Sequence, residues 1–483
     1  MPKPPASRLI IWMAAIVLTS CSTQREAERA DEVVDVPEDY GDAQIEGIAT
    51  EAWCSDFGQP GLDRLVERAW EGNLELKAAW ARLDQAEAAA DIAGASLWPT
   101  LNGNAGVSHS KQYLGDISNA AGGFVPDSQT QTSWKLSAAA AYEVDVWGKN
   151  RGRARAAELD ARSVEASARS LAMTLTSQVA EAWFDVIAQR ERLVLLEEQL
   201  ELSEDFLELT QRRFDRGLVT ALDITQQQQN LESLRAQISS ARSQLQTSFH
   251  RLAVLIGEPP SGEVAVDAED LPEMPAIPDP GVPADLIERR PDVRAAYLQL
   301  LAADERTAVA VADRLPSLQL SANLGLQAQE LSNLLEQLFW SVSAGIAQPI
   351  FEGGRLRAEV RRSEAVAEEQ LYNYAQTLLT GLREVRDALV LEDDQSERIE
   401  SLERELDSAR SSLEIAERRY RSGQLDYLRV LTALQSLQQV ERTLLEARRQ
   451  HLSYRISLCR ALGGGWVDDV ESSIEQESEK VRE

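Results

Sequence analysis

The sequence predicts a mostly α-helical chain that carries a membrane β-barrel portion and is written twice, as two internal repeats. Three observations predict this. Four segments of about ten residues alternate apolar with small or polar side chains, the pattern of barrel strands facing lipid on one side and water on the other. Stretches of sixty-odd residues run without proline, a helix length of roughly 95 Å at about 1.5 Å per residue, which no globular domain requires. Landmarks of the first half recur in the second at nearly constant spacing.

Composition agrees and removes several classes. The 483 residues could form two or three ordinary domains, and 43% hydrophobic residues with only 6% aromatics favour long helices with small-residue contacts. The formal charge of -30 repels nucleic acid and anionic lipid, so neither is expected as a partner, and much of it reads as a solvated surface.

Residues 1–20 have the form of a signal peptide: Lys3 and Arg8 supply a basic start, and Leu9 to Leu18 is too short to span a bilayer. Leu18-Thr19-Ser20-Cys21 resembles the bacterial lipobox, in which cleavage leaves an acylated cysteine; Ser22 then implies sorting to the outer membrane. A chance cysteine after an ordinary signal is the alternative. Residues 21–58 form the lipidated N-terminal segment, acidic and weakly patterned. Beyond Cys21 no run of about 18 apolar residues occurs, so a crossing has to be made by strands of a closed barrel.

The first repeat spans 59–258, in the order helix, strand, strand, helix, helix, and the second spans 284–466. Lys77-Ala78-Ala79-Trp80 recurs as Arg294-Ala295-Ala296-Tyr297 and Trp98-Pro99-Thr100-Leu101 as Leu315-Pro316-Ser317-Leu318, both at an offset of 217. Trp147 to Arg153 matches Phe351 to Arg357 at 204, so a loop shorter by 13 residues is expected in the second copy. Each unit opens with a helix, Leu74 to Leu97 and Pro291 to Arg314; proline suits a helix start, and Pro99 and Pro316 end these helices. In the first strands Leu101, Gly103, Ala105 and Val107 share a face, as do Leu318, Leu320, Ala322, Leu324 and Leu326. Their partners are Trp134 to Val144 and Phe339 to Ile350, with Trp134, Tyr142, Phe339 and Trp340 as a candidate aromatic girdle. A soluble hairpin with one buried face is the alternative reading of any single segment. Long helices follow, Arg151 to Phe214 and Leu356 to Arg421, each turned at a glycine, Gly217 or Gly423, into Leu218 to Ile256 or Leu425 to Leu462. Leu231, Leu234, Ile238, Leu245, Leu252 and Leu255 read as a coiled-coil seam. The Pro-rich 259–283 is a linker that regular helix excludes, and 467–483 is an acidic tail of disordered composition.

With these elements in place, the chain resembles the TolC/OprM/NodT outer-membrane factor family, in its lipoprotein branch. The resemblance rests on Pro283-Ala284-Asp285-Leu286-Ile287-Glu288-Arg289-Arg290-Pro291-Asp292-Val293, on Tyr142-Glu143-Val144-Asp145-Val146-Trp147-Gly148, and on Ala461-Leu462-Gly463-Gly464-Gly465-Trp466, and covers about Trp53 to Trp466. It implies a trimeric channel-tunnel: a 12-stranded β-barrel, four strands per protomer, on a long periplasmic α-helical barrel. It further implies an exit duct of a tripartite efflux system in the outer membrane, served by a periplasmic adaptor and an inner-membrane transporter of the resistance-nodulation-division type. A duct for type I protein secretion is the nearest alternative. A lipid-anchored periplasmic coiled-coil scaffold, from a different class, explains the lipobox and helices but not four alternating strands.

The resemblance also places a gate beside the turns at Gly217 and Gly423. It aligns Asp223 with an acidic position and Tyr420 with a tyrosine, so that Asp223 is expected to accept a hydrogen bond from Tyr420 or a neighbouring arginine in the closed state. The alternative is a first-turn acid that favours its own helix dipole. Where members of the family carry channel-lining aspartates, this chain has Arg429 and Thr432, which argues against a cation-selective acidic ring. Cys54 and Cys459 make an even pair that an oxidising compartment would let bridge, or inert packing residues; sequence alone supplies no geometry. His109, His250 and His451 show no metal-ligand spacing, and no carboxylate dyad or phosphate loop stands out, so no enzyme and no cofactor beyond lipid on Cys21 is expected.

Overall fold

A computed structural model describes residues 53–113, 128–261, 264–277 and 289–464. The signal peptide, Cys21, the tail, Pro283 to Glu288 and the final Gly465-Trp466 lie outside the described residues. In chain order the helices are α1 (Pro60–Gly72), α2 (Leu74–Ala95), α3 (Lys149–Phe214), α4 (Ala221–Leu255), α5 (Pro291–Ala312), α6 (Arg355–Arg421) and α7 (Tyr427–Ala461). The strands are β1 (Thr100–Tyr113) and β2 (Ser128–Val144) between α2 and α3, and β3 (Ser317–Ala328) and β4 (Leu338–Ala347) between α5 and α6. No described helix is long and apolar enough to cross a membrane.

The chain divides into two compact units, one from the described parts of 84–163 and 297–373, the other from the described parts of 30–83, 164–296 and 374–483. The first holds a four-stranded antiparallel sheet in the order β1-β2-β3-β4, so the two repeats' hairpins join through β2 and β3. Its register aligns the alternation of all four segments: Leu101 opposes Ala140, Ala140 opposes Ala322 and Ala322 opposes Val342. One face therefore collects Leu101, Val107, Leu136, Leu320, Leu324, Trp340, Val342 and Ile346, all exposed. The other collects Asn102, Ala139, Asn323 and Ser341, with Ser321 and Ser343 hydrogen-bonded at 2.7 Å.

Two expectations need correction. Phe339 opposes Gly325, which opposes Ser137, so it stands on the polar face with the Lys135 ammonium 5.5 Å from its ring centroid. Of the four candidate aromatics only Trp134, Tyr142 and Trp340 share the apolar face, because consecutive strand residues point to opposite faces. The second copy is also shortened in its strands as well as its loop: β3 and β4 have 12 and 10 residues against 14 and 17 in β1 and β2. The extra length lies in polar rows such as His109 opposite Thr132, 2.9 Å apart, where apolar alternation gives no signal.

The motif after β2 joins the strands to the helices. Trp147 Nε1 donates to Pro316 O at 2.7 Å, and Asp145 accepts from the backbone N–H groups of Asn150 (3.1 Å) and Arg151 (2.9 Å) at the start of α3. Burial pushes the Asp145 carboxyl up, but the bonds from Arg151 and Asn150 outweigh it and hold the group below its ordinary range.

In the second unit the core gathers Trp183, Phe184, Phe249 and Leu252 with Leu62, Leu65 and Leu76. Helix α1 is an element that the sequence reading did not separate from the segment before Leu74. It ends at Gly72, where a β-carbon on Gly257 would meet the Gly72 carbonyl at 2.1 Å, so the two backbones touch. Asn73 bridges them: its Nδ2 donates to Leu255 O at 2.9 Å while its Oδ1 accepts from the N–H groups of Glu75 and Leu76, capping α2. Around residues 264–277 the linker carries no regular helix or strand.

Candidate functional site at the helix turns

The long helices α3 and α6 end in the same way. Gly217 (φ 67°) and Gly423 (φ 77°) adopt the left-handed conformation. Gly217 N–H donates to Phe214 O and Leu218 N–H to Arg213 O, at 2.8 and 3.0 Å. Gly423 N–H donates to Tyr420 O and Gln424 N–H to Arg419 O, at 3.0 and 2.9 Å. These paired bonds form a Schellman closure, which satisfies orphan carbonyls while reversing the chain within a few residues.

The helices that follow are capped by side chains. Thr220 and Asp223 form a capping box, with Asp223 Oδ2 accepting from Thr220 N (2.7 Å) and Thr220 Oγ1 (2.8 Å). Asp426 accepts from Arg429 N at 3.1 Å to start α7. In the protomer, then, Asp223 takes its bonds from its own helix start and not from Tyr420, the outcome expected of a first-turn acid. Arg429 and Thr432 are both exposed on α7.

Tyr420 is buried between two partners. The Arg213 guanidinium lies 4.2 Å from its ring centroid and donates to its carbonyl at 2.8 Å, and the Tyr427 ring is 5.8 Å away. Burial pushes the Tyr420 phenol up, partly offset by Arg213. The Thr210 hydroxyl beside it also acts against that rise. Burial also pushes the Tyr427 phenol up, so that hydroxyl stays protonated and donates to Gln227 Oε1 at 2.5 Å.

From Tyr427 a polar seam runs between the two repeats' helices. Gln227 Nε2 donates to Ser203 O at 2.5 Å, Asn230 Nδ2 and Gln438 Nε2 to Ser203 Oγ at 3.3 and 3.1 Å. Gln199 and Gln438 donate to each other's backbone carbonyls at 3.2 and 3.3 Å, and Arg442 donates to Gln199 Oε1 at 2.6 Å. Gln227, Ser203, Gln199 and Gln438 are all buried. A shift of one helix along another would break several of these bonds at once, each leaving a buried polar group that costs about 1–3 kcal/mol. The seam thus sets the axial register of the helices. The sequence reading missed it, although one signal was present: Gln227 stands one helical turn before Leu231, on the line that continues through Leu234 and Ile238.

The motif at Arg290 is a clamp of a different kind. Its guanidinium, 4% exposed as a residue, donates to Asp292 Oδ2 (2.7 Å), Glu384 Oε2 (2.9 Å) and Ala461 O (3.1 Å). It ties the start of α5 to α6 and to the last turn of α7. Burial lowers Arg290, yet the bonds and charges of Asp292 and Glu384 leave it above its ordinary value, while Asp292 ends below its own. Among the described residues no cluster could hold a metal ion.

A family model described as "Outer membrane efflux protein" matches residues 65–258 and 282–464, one match per repeat. The chain belongs to this outer membrane efflux protein family. It is 34% identical over 421 residues to the pyoverdine export outer membrane protein OpmQ of Pseudomonas aeruginosa, covering 86% of this chain and 88% of the relative. With the outer membrane protein OprJ of Pseudomonas aeruginosa it shares 30% identity over 470 residues, 96% of this chain and 97% of the relative. Among solved structures, the outer-membrane channel OprN superposes with a TM-score of 0.81 at 28% identity, covering 89% of this chain and 95% of OprN. The outer membrane protein VceC of Vibrio cholerae gives 0.79 at 28% identity, over 86% of this chain and all of that one. The protein is an outer-membrane efflux channel, and its four-stranded sheet and long helices are one protomer's share of a channel-tunnel.

Proposed function

We propose that three copies of the chain close a 12-stranded barrel and act as the passive exit duct of a tripartite pump. Delivery comes from an inner-membrane transporter of the resistance-nodulation-division type, through a periplasmic adaptor. The observation that supports this most is the sheet: its apolar face is exposed, and among the described residues β1 and β4 each leave one edge unpaired. Open edges do not persist in lipid, and closure with further copies removes them. Relatives named for antibiotic and toluene efflux pumps support the pump assignment. Cys21 is acylated and anchors the chain in the outer membrane; the duct itself performs no chemical step and needs no cofactor.

The gate lies at the turns, where Gly217 and Gly423 reverse the helices, the Asp223 capping box and the Tyr420–Arg213 stack fix their geometry, and Arg429 takes the place of an acid. Detergent-extracted protein is expected to run as a heat-modifiable trimer and to form channels in planar bilayers. A monomer without β-barrel signal would overturn the assembly. Unchanged single-channel conductance in Asp223→Ala would remove that residue from the gate while leaving the duct intact.

A further inference from the structure

Two thiols have no part in the duct. Cys54 stands at the start of the single turn Ser55–Phe57, and Cys459 lies in the last turns of α7, 405 residues later. Both pack into one apolar cluster. Leu452, Ile456 and Cys459 share one face of α7, at the spacing of neighbours on a helix, and that face belongs to the same core as Trp53 and Phe57, with Cys54 packed against it. Trp53 and Phe57 meet edge to face at 6.1 Å, and Phe57 contacts Phe184 at 5.2 Å, which fixes the short arm on the core. Both cysteines are free thiols in the structure.

The surroundings set how these thiols can react. Burial pushes Cys459 up to about 12, with the nearby Arg455 lowering it and Asp56 and Glu392 raising it. Burial also pushes Cys54 well up, and Asp63, Cys459 and Asp56 add to the rise. Thiolate is the reactive form, and in the folded protein it is scarce at neutral pH. Burial of both thiols in the closed cluster disfavours exchange there, so oxidation belongs to the folding chain, before they leave water.

We propose that Cys54 and Cys459 are a disulfide site, oxidised in the cell envelope as the chain folds, that staples the arm following the lipid anchor to the last helix of the second repeat. The oxidant is a protein or glutathione disulfide. One cysteine thiolate attacks it, forming a mixed disulfide and expelling one oxidant thiolate. The second cysteine thiolate then attacks the mixed disulfide, closing the Cys54–Cys459 bond and expelling the oxidant's other sulfur as thiolate. Two electrons pass to the oxidant, and the two protons lost by the cysteines are taken up by its sulfurs.

The test uses full-length protein extracted from outer membranes of cells with an oxidising envelope. It is denatured with N-ethylmaleimide and no reductant, digested, and mapped by mass spectrometry. The expected result is a cross-linked peptide pair carrying Cys54 and Cys459, two hydrogens lighter than the sum of the free peptides, that separates on reduction. Loss of maleimide uptake at both positions is expected to be restored by reduction before labelling. Recovery of both peptides as maleimide adducts without reduction overturns the proposal and leaves the channel reading untouched. A Cys54→Ser variant separates the remaining cases: Cys459 is then expected to label fully on denaturation, and a Cys459 still masked, or linked to Cys21, refutes this pairing. The Cys21 peptide in the same digest reports acylation independently.

Discussion

The buried Tyr427–Gln227 bond allows the seam to be tested quantitatively. Tyr427→Phe keeps the ring and its packing, so no cavity forms and only the hydroxyl is lost. Its 2.5 Å bond to Gln227 Oε1 disappears, leaving that oxygen, in a residue 0% exposed, without its donor. An orphaned buried acceptor costs about 1–3 kcal/mol. Gln227→Leu removes the same bond from the other side and also the donation to Ser203 O, so it is expected to cost more. In the double variant the Tyr427 orphan no longer exists, because both partners have become apolar. The two effects are therefore expected to fall short of additivity by about 1–2 kcal/mol, within the range of coupling seen for residues in direct contact. The assay is thermal unfolding of detergent-solubilised protein followed by helical circular dichroism, with the four proteins compared under one condition. Full additivity, or a Tyr427→Phe variant indistinguishable from wild type, would refute the claim that the seam's hydrogen bonds hold the helices in register.

Other perturbations separate the remaining parts of the structure. Gly423→Ala places a β-carbon in open space at φ 77°, so only the left-handed backbone penalty of about 1–2 kcal/mol applies and folded protein should be recovered; Gly257→Ala at the same φ puts that carbon 2.1 Å from the Gly72 carbonyl and is expected to abolish folding, as judged by outer-membrane yield. Asp145 has a folded pKa below its unfolded value, so its contribution is present at neutral pH and is lost as pH falls through the folded value. The melting difference between wild type and Asp145→Asn should therefore shrink as pH drops below about 4, where the unfolded carboxyl protonates. On the sheet, Val342→Arg sits on the exposed apolar face and is expected to cost about 2–4 kcal/mol near the bilayer midplane, lowering membrane insertion. Ser341→Arg, on the opposite face, should insert normally and change conductance; equal insertion of both would refute the assignment of faces.

How much of this was legible beforehand follows from the range over which each feature is encoded. Alternation along Leu318 to Leu326, the proline-free run after Arg151 and the turn glycines Gly217 and Gly423 are properties of consecutive residues, where backbone sterics and side-chain period act, and they can be read without a fold. The repeats showed in the same way, because each copy carries its own local signals. Partner identity is different. That Gln199 meets Gln438, that Arg290 reaches Glu384 and Ala461, that Phe339 stands on the polar face, and that Cys54 and Cys459 pack into one core depend on register and packing between segments far apart in the chain. Asp223 shows the local side of this division: its place in the first turn after a glycine, three residues beyond Thr220, is written in consecutive residues, and within the protomer its carboxylate takes that local cap. Sequence alone set the repeated helices and strands, though not helix α1, since those follow from local propensity; the tertiary structure decided which polar groups face one another, since a buried hydrogen bond exists only where packing brings its two ends together.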